Sequence, residues 1–345
     1  THHHKNQQHR KAHNPPEKKQ NPPRNTTQTH KKQQHPATKK PETKTPKIEP
    51  LKMMLNMELA MIDTIHEEKI TSNGEERVKN NNIEEQPTNE KVEEIQTGVK
   101  TEVLENNVPT KFTDEYNGVK VKNGTDNKLT KEILTPNINI NMKNVLIFHT
   151  HTCESYTPSQ AYPYKQTGNF RTTDRNYSVV RVGRELENYL KPYGYNIIHD
   201  ESYHDYPSYS GSYSSSLETV EKILKDNSGY DKVLDLHRDA IGDNTYAPTV
   251  KIGEEYAAQL MFVIGSNGGV DEHENWQENL KFAVKVQEKA NELYPGLFKP
   301  IILRNSDYNQ FVSKAACIIE VGATGNTLEQ CLASMKYLSK VIREL

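Results

Sequence analysis

The chain has 345 residues with a formal net charge of −2, and only 33% of its residues are hydrophobic. Its length predicts about two domains, but a mean hydropathy of −0.90 is too low for a chain that is packed throughout. The sequence contains no run of about 18 apolar residues, which excludes a membrane-spanning helix, and its three cysteines lack the CxxC spacing of a zinc knuckle.

Residues 1–50 have the composition of a disordered basic tail. They carry twelve Lys or Arg against three Glu, a net charge of +9, with eight prolines and seven of the fourteen histidines. Such a segment cannot bury enough apolar surface to offset the entropy lost on ordering. We interpret it as a solvated spacer. The alternatives are a nucleic-acid arm, which the lack of aromatic residues disfavours, and an anchor to acidic lipids or wall polymers.

Two further segments precede the folded part of the chain. Residues 51–65 contain four of the seven methionines and predict an amphipathic helix, either docked on its own domain, which we favour, or exposed as an adaptable binding surface. Residues 66–143 are rich in Asn, Glu, Thr and Lys, which predicts a low-complexity stalk with at most a few edge strands.

From residue 144 onwards, strand and helix signals alternate. Short apolar runs predict six strands, at residues 145–148, 195–198, 232–236, 260–264, 301–303 and 315–319. Helical stripes predict four helices: one over 176–191 that is stopped by Pro192 and Gly194, one with a capping box at Ser215 and Glu218, one closed by Pro295 and Gly296, and one capped by Thr327 and Gln330.

This alternation predicts one α/β domain over residues 144–345, with a mixed, mostly parallel sheet of about six strands flanked by helices. The last two predicted strands are separated by only eleven residues, 304–314. That length is short for a parallel crossover. We therefore expect these two strands to be antiparallel neighbours.

Three of the predicted strands end in residues that can bind a metal or move a proton. The first runs into the segment from His149 to Glu154, the third into His237, and the sixth into Glu320. Because ligands gather at the carboxyl ends of strands in open α/β sheets, we expect these endings to converge. Imidazoles, a carboxylate and a separate base are what a catalytic zinc site requires. The pattern therefore predicts a zinc hydrolase.

The two histidines of the first ending cannot both be assumed to be ligands. We prefer His149, with His151 in a supporting role, because Glu154 can fold back from the loop to the same ion. For His237, Asp235 or Asp239 could accept the second ring N–H and so orient the imidazole.

Glu320 follows five uncharged residues. Its carboxyl group is expected to be either desolvated or close to a cation, and both suit a base that takes a proton from water. The alternative is that Glu320 caps the helix that begins near Asn326 or pairs with Arg238.

The same segments carry a family resemblance. The runs HTHTCESY at 149–156, DLHRDA at 235–240, YNQF at 308–311 and IEVGATGNTLE at 319–329 resemble the signature segments of stage II sporulation protein P. That family belongs to the zinc-dependent N-acetylmuramoyl-L-alanine amidases of endospore-forming bacteria. The resemblance covers about residues 144–345.

The resemblance implies zinc ligands at His149, Glu154 and His237 and a catalytic glutamate at Glu320. It implies cleavage of the amide between muramic acid and L-alanine in peptidoglycan, with some endopeptidase activity on stem-peptide crosslinks. It further implies work on the septal wall between forespore and mother cell during engulfment. The implied partners are stage II sporulation proteins D, a lytic transglycosylase, and M, a membrane protein. The resemblance also implies an extracytoplasmic location. Family members are normally tethered there by an N-terminal transmembrane helix, which this sequence lacks.

Five more residues are candidates for contacts with the substrate. Arg238 could hold a substrate carboxylate, stabilise the tetrahedral oxyanion or only orient Glu320. Tyr206 and Tyr209 lie in a tyrosine-rich segment that could line a glycan or peptide groove, although an ordinary surface loop is as good an interpretation. Asn309 and Gln310 could bind stem-peptide amides.

Two other classes of function stay open. A cysteine hydrolase would use Cys153, activated by His149 or His237. A non-enzymatic module with a degenerate site would bind the cell wall without cleaving it.

Overall fold

A mixed eight-stranded sheet forms the centre of the fold in the computed structural model, which describes residues 99–104, 111–241, 244–266 and 275–345. The predicted tail and methionine-rich helix, and the stalk up to residue 98, lie outside these residues. Eleven strands occur in the described part: β1 (Thr101–Val103), β2 (Asp114–Tyr116), β3 (Val119–Asn123), β4 (Asn144–Phe148), β5 (Asn196–His199), β6 (Lys232–Asp239), β7 (Thr249–Ile252), β8 (Glu255–Ala258), β9 (Leu260–Gly265), β10 (Ile301–Arg304) and β11 (Ala315–Ala323). The helices are α1 (Lys131–Leu134), α2 (Val179–Leu190), α3 (Ser212–Asp226), α4 (Trp276–Leu293) and α5 (Leu328–Arg343), with 3-10 turns at Lys191–Tyr193 and Gln310–Val312.

The large sheet has the strand order β2-β3-β10-β9-β11-β6-β4-β5. Five of its seven neighbouring pairs are parallel, and the exceptions are β2 with β3 and β9 with β11. The predicted α/β fold with a mixed, mostly parallel sheet is therefore confirmed. None of the helices in the described ranges is long and apolar enough to cross a membrane.

The prediction that the last two strands are neighbours is wrong, although their opposite directions are correct. β9 lies between β10 and β11, parallel to the former and antiparallel to the latter. The parallel crossover from β9 to β10 is long enough because α4 fills it. The eleven-residue connection from β10 then only has to pass across β9 to reach β11.

Short strands in polar sequence extend the structure beyond the six predicted strands. β2 and β3 form one edge of the large sheet, and β1, β7 and β8 form a separate antiparallel sheet. β2 and β3 fall within residues 66–143, where the composition predicts a stalk with at most a few edge strands. The division of the chain into domains stays a prediction.

The two faces of the large sheet are covered differently. Ile147, Leu234 and Ile319 face the core that contains Leu186 of α2, Ala283 of α4 and Leu338 of α5. Strand residues of the opposite face, including Phe148 and Val233, pack against Val220 of α3. Within the described part of the chain, α3 is thus the helix that packs on this second face, and the predicted site lies on that side.

The helix ends show which local signals the sequence carries. Thr327 and Gln330 form the predicted capping box of α5. The capping box predicted at Ser215 and Glu218 is wrong, because α3 begins one turn earlier, at Ser212, after Gly211 in a left-handed conformation with φ of 92°. Glycine adopts that conformation without strain, so it can start the helix without a side-chain cap.

Lys232 is buried at the start of β6, where a charged amine is costly. Its side chain is fully buried, and Nζ donates a hydrogen bond to the carbonyl of Met142 and lies 5.4 Å from the centre of the Tyr195 ring. Burial, reinforced by the charge of Lys143, lowers the pKa of Lys232 to about 7.

This shift predicts a pH-dependent stability. Below pH 7 both the folded and the unfolded chain carry the charge, so the cost of burial is fully present. Between pH 7 and the unfolded pKa of roughly 10.4, only the unfolded chain holds the proton, and stability should rise by about 1.4 kcal/mol per pH unit. In urea unfolding, wild type should therefore gain about 2 kcal/mol relative to Lys232→Met between pH 7.5 and 9.5.

The matched control is Lys222→Met, which removes an exposed lysine of α3 that is not among the charges acting on Lys232. The difference in unfolding free energy between this control and wild type should not change between pH 7.5 and 9.5. If the unfolding free energies of wild type and Lys232→Met change by the same amount across this pH window, the buried amine of Lys232 is not neutral and the prediction is wrong.

Candidate active site

The carboxyl ends of β4, β6 and β11 meet at one edge of the sheet, as the sequence predicts. β6 pairs with both of the other strands in parallel, and His237 of β6 lies directly opposite Glu320 of β11. Register partners in a parallel pair project to the same face. The His237 and Glu320 side chains therefore share one face of the sheet.

A bulge in β11 follows Glu320 immediately. The register with β6 shifts by one residue between Glu320 and Ala323, and Gly322 has φ of 67°. A Cβ on Gly322 would lie 2.8 Å from Oδ1 of Asn326. The glycine thus allows β11 to leave the regular ladder just beyond the glutamate.

His237 lies among carboxylates in the interior. Its Nε2 is 2.9 Å from Oδ1 of Asp235, at ion-pair distance but outside hydrogen-bond geometry, and its Nδ1 is 3.6 Å from Oε2 of Glu154. Burial alone would lower the pKa of His237, but the attraction of Asp235, then of Glu154 and Glu320, outweighs it and raises the pKa to about 10.

Asp235 is held in place by Thr150. Its Oδ1 accepts the Thr150 backbone N–H at 2.8 Å and its Oδ2 accepts the Thr150 hydroxyl at 2.7 Å. Of the two predicted partners of His237, Asp235 is thus the one at the imidazole. The Asp239 carboxylate instead lies 3.4 Å from Nζ of Lys299.

The two histidines of the first motif lie on different sides of the sheet. The rings of His151 and His237 are 5.1 Å apart between centroids, and His151 Nε2 is 3.1 Å from the hydroxyl of Tyr209. His149 turns the other way: its Nδ1 is 3.0 Å from the Leu236 carbonyl and its Nε2 is 2.9 Å from Nε2 of His199.

The geometry therefore differs from the predicted ligand set at one position. β4 ends at Phe148, so the two-residue alternation of a strand does not continue through the histidines. The chain turns instead, and the hydroxyl of Thr152 donates back to the carbonyl of His149 at 3.0 Å. This turn brings the ring of His151, and not that of His149, beside His237.

Glu320 is desolvated and has cations near it, so both expectations from the sequence hold together. The side chain is 3% exposed, and Oε2 has no hydrogen-bond partner in the described structure. Burial raises the pKa of Glu320 to about 8, with Asp239 and Glu154 adding to the rise and His237 and Arg238 opposing it. A carboxyl group balanced in this way suits proton transfer near neutral pH.

The residue types at this edge are those of a zinc site, but their side chains are not arranged around an ion. Within the ranges that the structure describes, no group of three or more His, Cys, Asp or Glu side chains is placed so that it could hold a metal. His151, Glu154 and His237 nevertheless supply the two imidazoles and the carboxylate typical of catalytic zinc sites. Glu320 Oε2 is buried without a hydrogen-bond partner in the described structure, which is costly unless something else binds it.

Arg238 connects the surrounding loops. Its Nε donates to the Ser155 carbonyl at 3.0 Å and its Nη1 to the Thr324 hydroxyl at 3.1 Å. Its backbone N–H donates to Oε2 of Glu154 at 3.1 Å. These bonds indicate that Arg238 positions the loops, Glu154 included. The predicted contact with substrate stays a prediction.

The predicted substrate-binding residues fall into two groups. Asn309 Nδ2 donates to the Tyr213 carbonyl at 2.8 Å and Gln310 Nε2 to the Val263 carbonyl at 2.9 Å, so both amides satisfy buried backbone groups. Tyr206 and Tyr209 are 56% and 42% exposed. Only the tyrosines are therefore accessible to a large substrate.

The sequence interpretation missed Thr150 and the His199 contact of His149. Thr150 lies inside the first motif, but its role depends on a contact with β6 that the sequence does not show. His199 is the last residue of β5, the neighbour of β4. The rule that selected the other strand endings would have found it.

Gly183 of α2 makes the close approach of these two histidines possible. A Cβ at residue 183 would lie 2.6 Å from Nε2 of His199 and 2.9 Å from Nε2 of His149. Alanine usually stabilises a helix relative to glycine by about 0.5–1 kcal/mol. Here we expect Gly183→Ala to destabilise the protein by about 1–3 kcal/mol, as overpacking does.

Chemical unfolding of Gly183→Ala and Gly168→Ala would measure this effect. At residue 168 the nearest atom to a new Cβ is an Arg171 side-chain carbon at 3.4 Å, an ordinary contact, so we expect little change. A Gly183→Ala variant as stable as wild type would show that the histidines can separate freely.

Comparisons with known proteins identify relatives of this chain. The model of the stage II sporulation protein P family matches residues 49–343. Stage II sporulation protein P of Bacillus subtilis (strain 168) is 27% identical over 216 residues, which are 59% of this chain and 51% of the relative. The match thus spans about half the length of that relative.

Solved structures of low similarity are also found. One is the N-acetylmuramoyl-L-alanine amidase AmiC2 of Nostoc punctiforme, with a TM-score of 0.36 and 10% identity over 60% of this chain and 96% of the other. Another is the CwlD amidase of Clostridioides difficile in complex with the GerS lipoprotein, with a TM-score of 0.36 and 12% identity over 58% and 94% of the two chains. These scores are too low to support a conclusion. The family model, by contrast, covers well over half of the sequence, and the chain therefore belongs to the stage II sporulation protein P family.

Proposed function

We propose that this protein is a zinc-dependent N-acetylmuramoyl-L-alanine amidase that cleaves the amide between the lactyl group of muramic acid and L-alanine in peptidoglycan. Membership of the sporulation family supports the substrate. The observation that carries the chemistry is the buried carboxyl group of Glu320, which lies opposite His237 and whose Oε2 has no hydrogen-bond partner in the described structure.

In this proposal His151, Glu154 and His237 hold the zinc ion, which when bound supplies a Lewis acid for the scissile carbonyl. Glu320 takes a proton from the attacking water and delivers it to the nitrogen of the departing L-alanine. Its desolvated position favours this exchange, because burial raises the pKa of the carboxyl group.

The residues around the site keep its side chains in place. Thr150 fixes both oxygens of Asp235, which lies against His237 and can orient its ring. Arg238 donates hydrogen bonds to the carbonyl of Ser155, the residue after Glu154, and to the hydroxyl of Thr324 in the loop that follows β11. The catalytic groups thus rest on three neighbouring strands, which limits their motion.

The broader setting of the activity is also proposed. Family membership supports work on the cell wall during sporulation, and we extend this to the septum between forespore and mother cell during engulfment. Some cleavage of stem-peptide crosslinks, and action beside stage II sporulation proteins D and M outside the cytoplasm, are proposals of the same kind. They rest on the signature segments at 149–156, 235–240 and 319–329.

A cysteine hydrolase is the less favoured alternative. Cys153 is 3% exposed, and its backbone N–H lies 3.2 Å from both carboxylate oxygens of Asp205. Burial and then the charge of Asp205 raise the pKa of the thiol to about 12. A nucleophilic cysteine requires the thiolate, so this environment opposes the role.

Digestion of purified sacculi tests the proposed chemistry. We expect the wild type to release stem peptides that begin with L-alanine, detected by mass spectrometry, and a chelator to stop the release. Glu320→Gln should reduce the rate about 100-fold or more, because general acid–base groups typically contribute that much.

Cys153→Ala is the control in the same assay and should remain active, with its fold checked by circular dichroism. The proposal fails if Glu320→Gln cleaves at the wild-type rate. An inactive, correctly folded Cys153→Ala together with a chelator-resistant wild type would instead identify the cysteine mechanism. Binding of sacculi without release of peptides by the wild type would identify a non-enzymatic module.

Metal analysis separates the two candidate histidines. His151→Ala should lose zinc on dialysis, whereas His149→Ala should keep it, since His149 faces His199 and the Leu236 carbonyl. Asp235→Ala should weaken zinc binding about 10–100-fold through the loss of ring orientation. Elemental analysis that shows zinc lost from His149→Ala and retained by His151→Ala would restore the original ligand set.

A further inference from the structure

Three exposed tyrosines are concentrated beside the candidate active site. Tyr203, Tyr206 and Tyr209, which we call the aromatic platform, are 38%, 56% and 42% exposed. They account for three of the nine large hydrophobic side chains that are exposed in the described part of the chain, and they lie within seven residues. Clustered exposed aromatic rings are typical of binding surfaces.

The aromatic platform is continuous with the site. The ring of Tyr209 stacks on His151 with 4.6 Å between ring centroids, and its hydroxyl is 3.1 Å from His151 Nε2. The rings of Tyr203 and Tyr206 follow at the surface, 6.0 Å apart between centroids and nearly edge to face. The aromatic platform therefore contacts the candidate site through Tyr209.

Two of the three rings, Tyr203 and Tyr209, are held in place by polar and arginine contacts. Tyr203 donates its hydroxyl to the Thr173 carbonyl, and the Arg175 guanidinium lies 5.4 Å from the centre of its ring. Arg171 lies 5.0 Å from the centre of the Tyr209 ring and forms an ion pair with the buried Asp205. A surface ordered in this way loses little entropy when a ligand binds.

We propose that the aromatic platform binds the sugar rings of the glycan strand, with Tyr206 as its main stacking residue. This inference rests on the proposed amidase function, because the scissile amide is joined through the lactyl group to a sugar. That sugar must lie close to Glu320 and His151 when the amide is attacked. The C–H faces of a pyranose ring are apolar and flat, so they can cover a tyrosine ring, while the neighbouring arginines can meet the hydroxyls.

Binding to glycan strands from which all stem peptides have been removed tests the proposal without the scissile bond. Using the full chain, we expect Tyr206→Ala to weaken this binding about tenfold, the effect of losing one aromatic contact. Binding of free stem tetrapeptide by the same variant should be unchanged. Both affinities can be measured by isothermal titration calorimetry, with thermal unfolding to confirm that the variant folds.

Tyr193→Ala is the matched control. Tyr193 is 55% exposed and also lies next to an arginine, Arg343. It precedes β5, however, at the opposite end of the sheet from the candidate site. Its replacement should leave binding of the peptide-free strands unchanged.

The results distinguish this inference from the proposed function. The platform is refuted if Tyr206→Ala and wild type bind peptide-free strands equally, if Tyr193→Ala weakens that binding as much, or if Tyr206→Ala affects only the tetrapeptide. Tenfold weaker strand binding by Tyr206→Ala supports it, even if Glu320→Gln proves as active as wild type on sacculi. If Glu320→Gln is as active as wild type while Tyr206→Ala binds strands more weakly, the amidase proposal fails and the proposal that the aromatic platform binds glycan holds.

Discussion

The parallel pairing of β6 with β11 is the constraint on which the candidate site depends. It sets His237 opposite Glu320, and a change of register by a single residue would turn one of the two side chains to the other face of the sheet. Buried residues, most of them apolar, fix this register along the preceding part of both strands, from Ala315 opposite Lys232 to Ile319 opposite Leu236. The hydrophobic core thus determines the distance between the two groups proposed for proton transfer and metal binding.

The polar groups at the end of these strands show how a buried site can be tolerated. Asp235, His237 and Glu154 compensate one another's charge, and Thr150 and the backbone of Arg238 satisfy the remaining carboxylate oxygens. Such groups are costly to bury when they are unpaired. Oε2 of Glu320 stays without a hydrogen-bond partner in the described structure, and it lies where the proposed chemistry needs an acceptor.

The sequence predicted the six main strands, the four long helices and the edge where the site lies, because apolar periodicity and strand endings are local signals. It did not predict the directions of His149 and His151, since these depend on a turn that begins after Phe148. Nor did it reveal that the amides of Asn309 and Gln310 bond to buried backbone groups. The sequence also did not show that β9 lies between β10 and β11, because the order of strands in a sheet depends on contacts between distant segments.

A hydrogen bond joins the ring of His149 to the carbonyl of Leu236 in β6. It connects one face of the sheet to the strand that carries His237 on the other face. His149 and His199 pack against Gly183 of α2, and the residue that follows Leu236 in β6 is His237. Helix α2 and the edge that carries the candidate site are therefore linked through the main chain at Leu236.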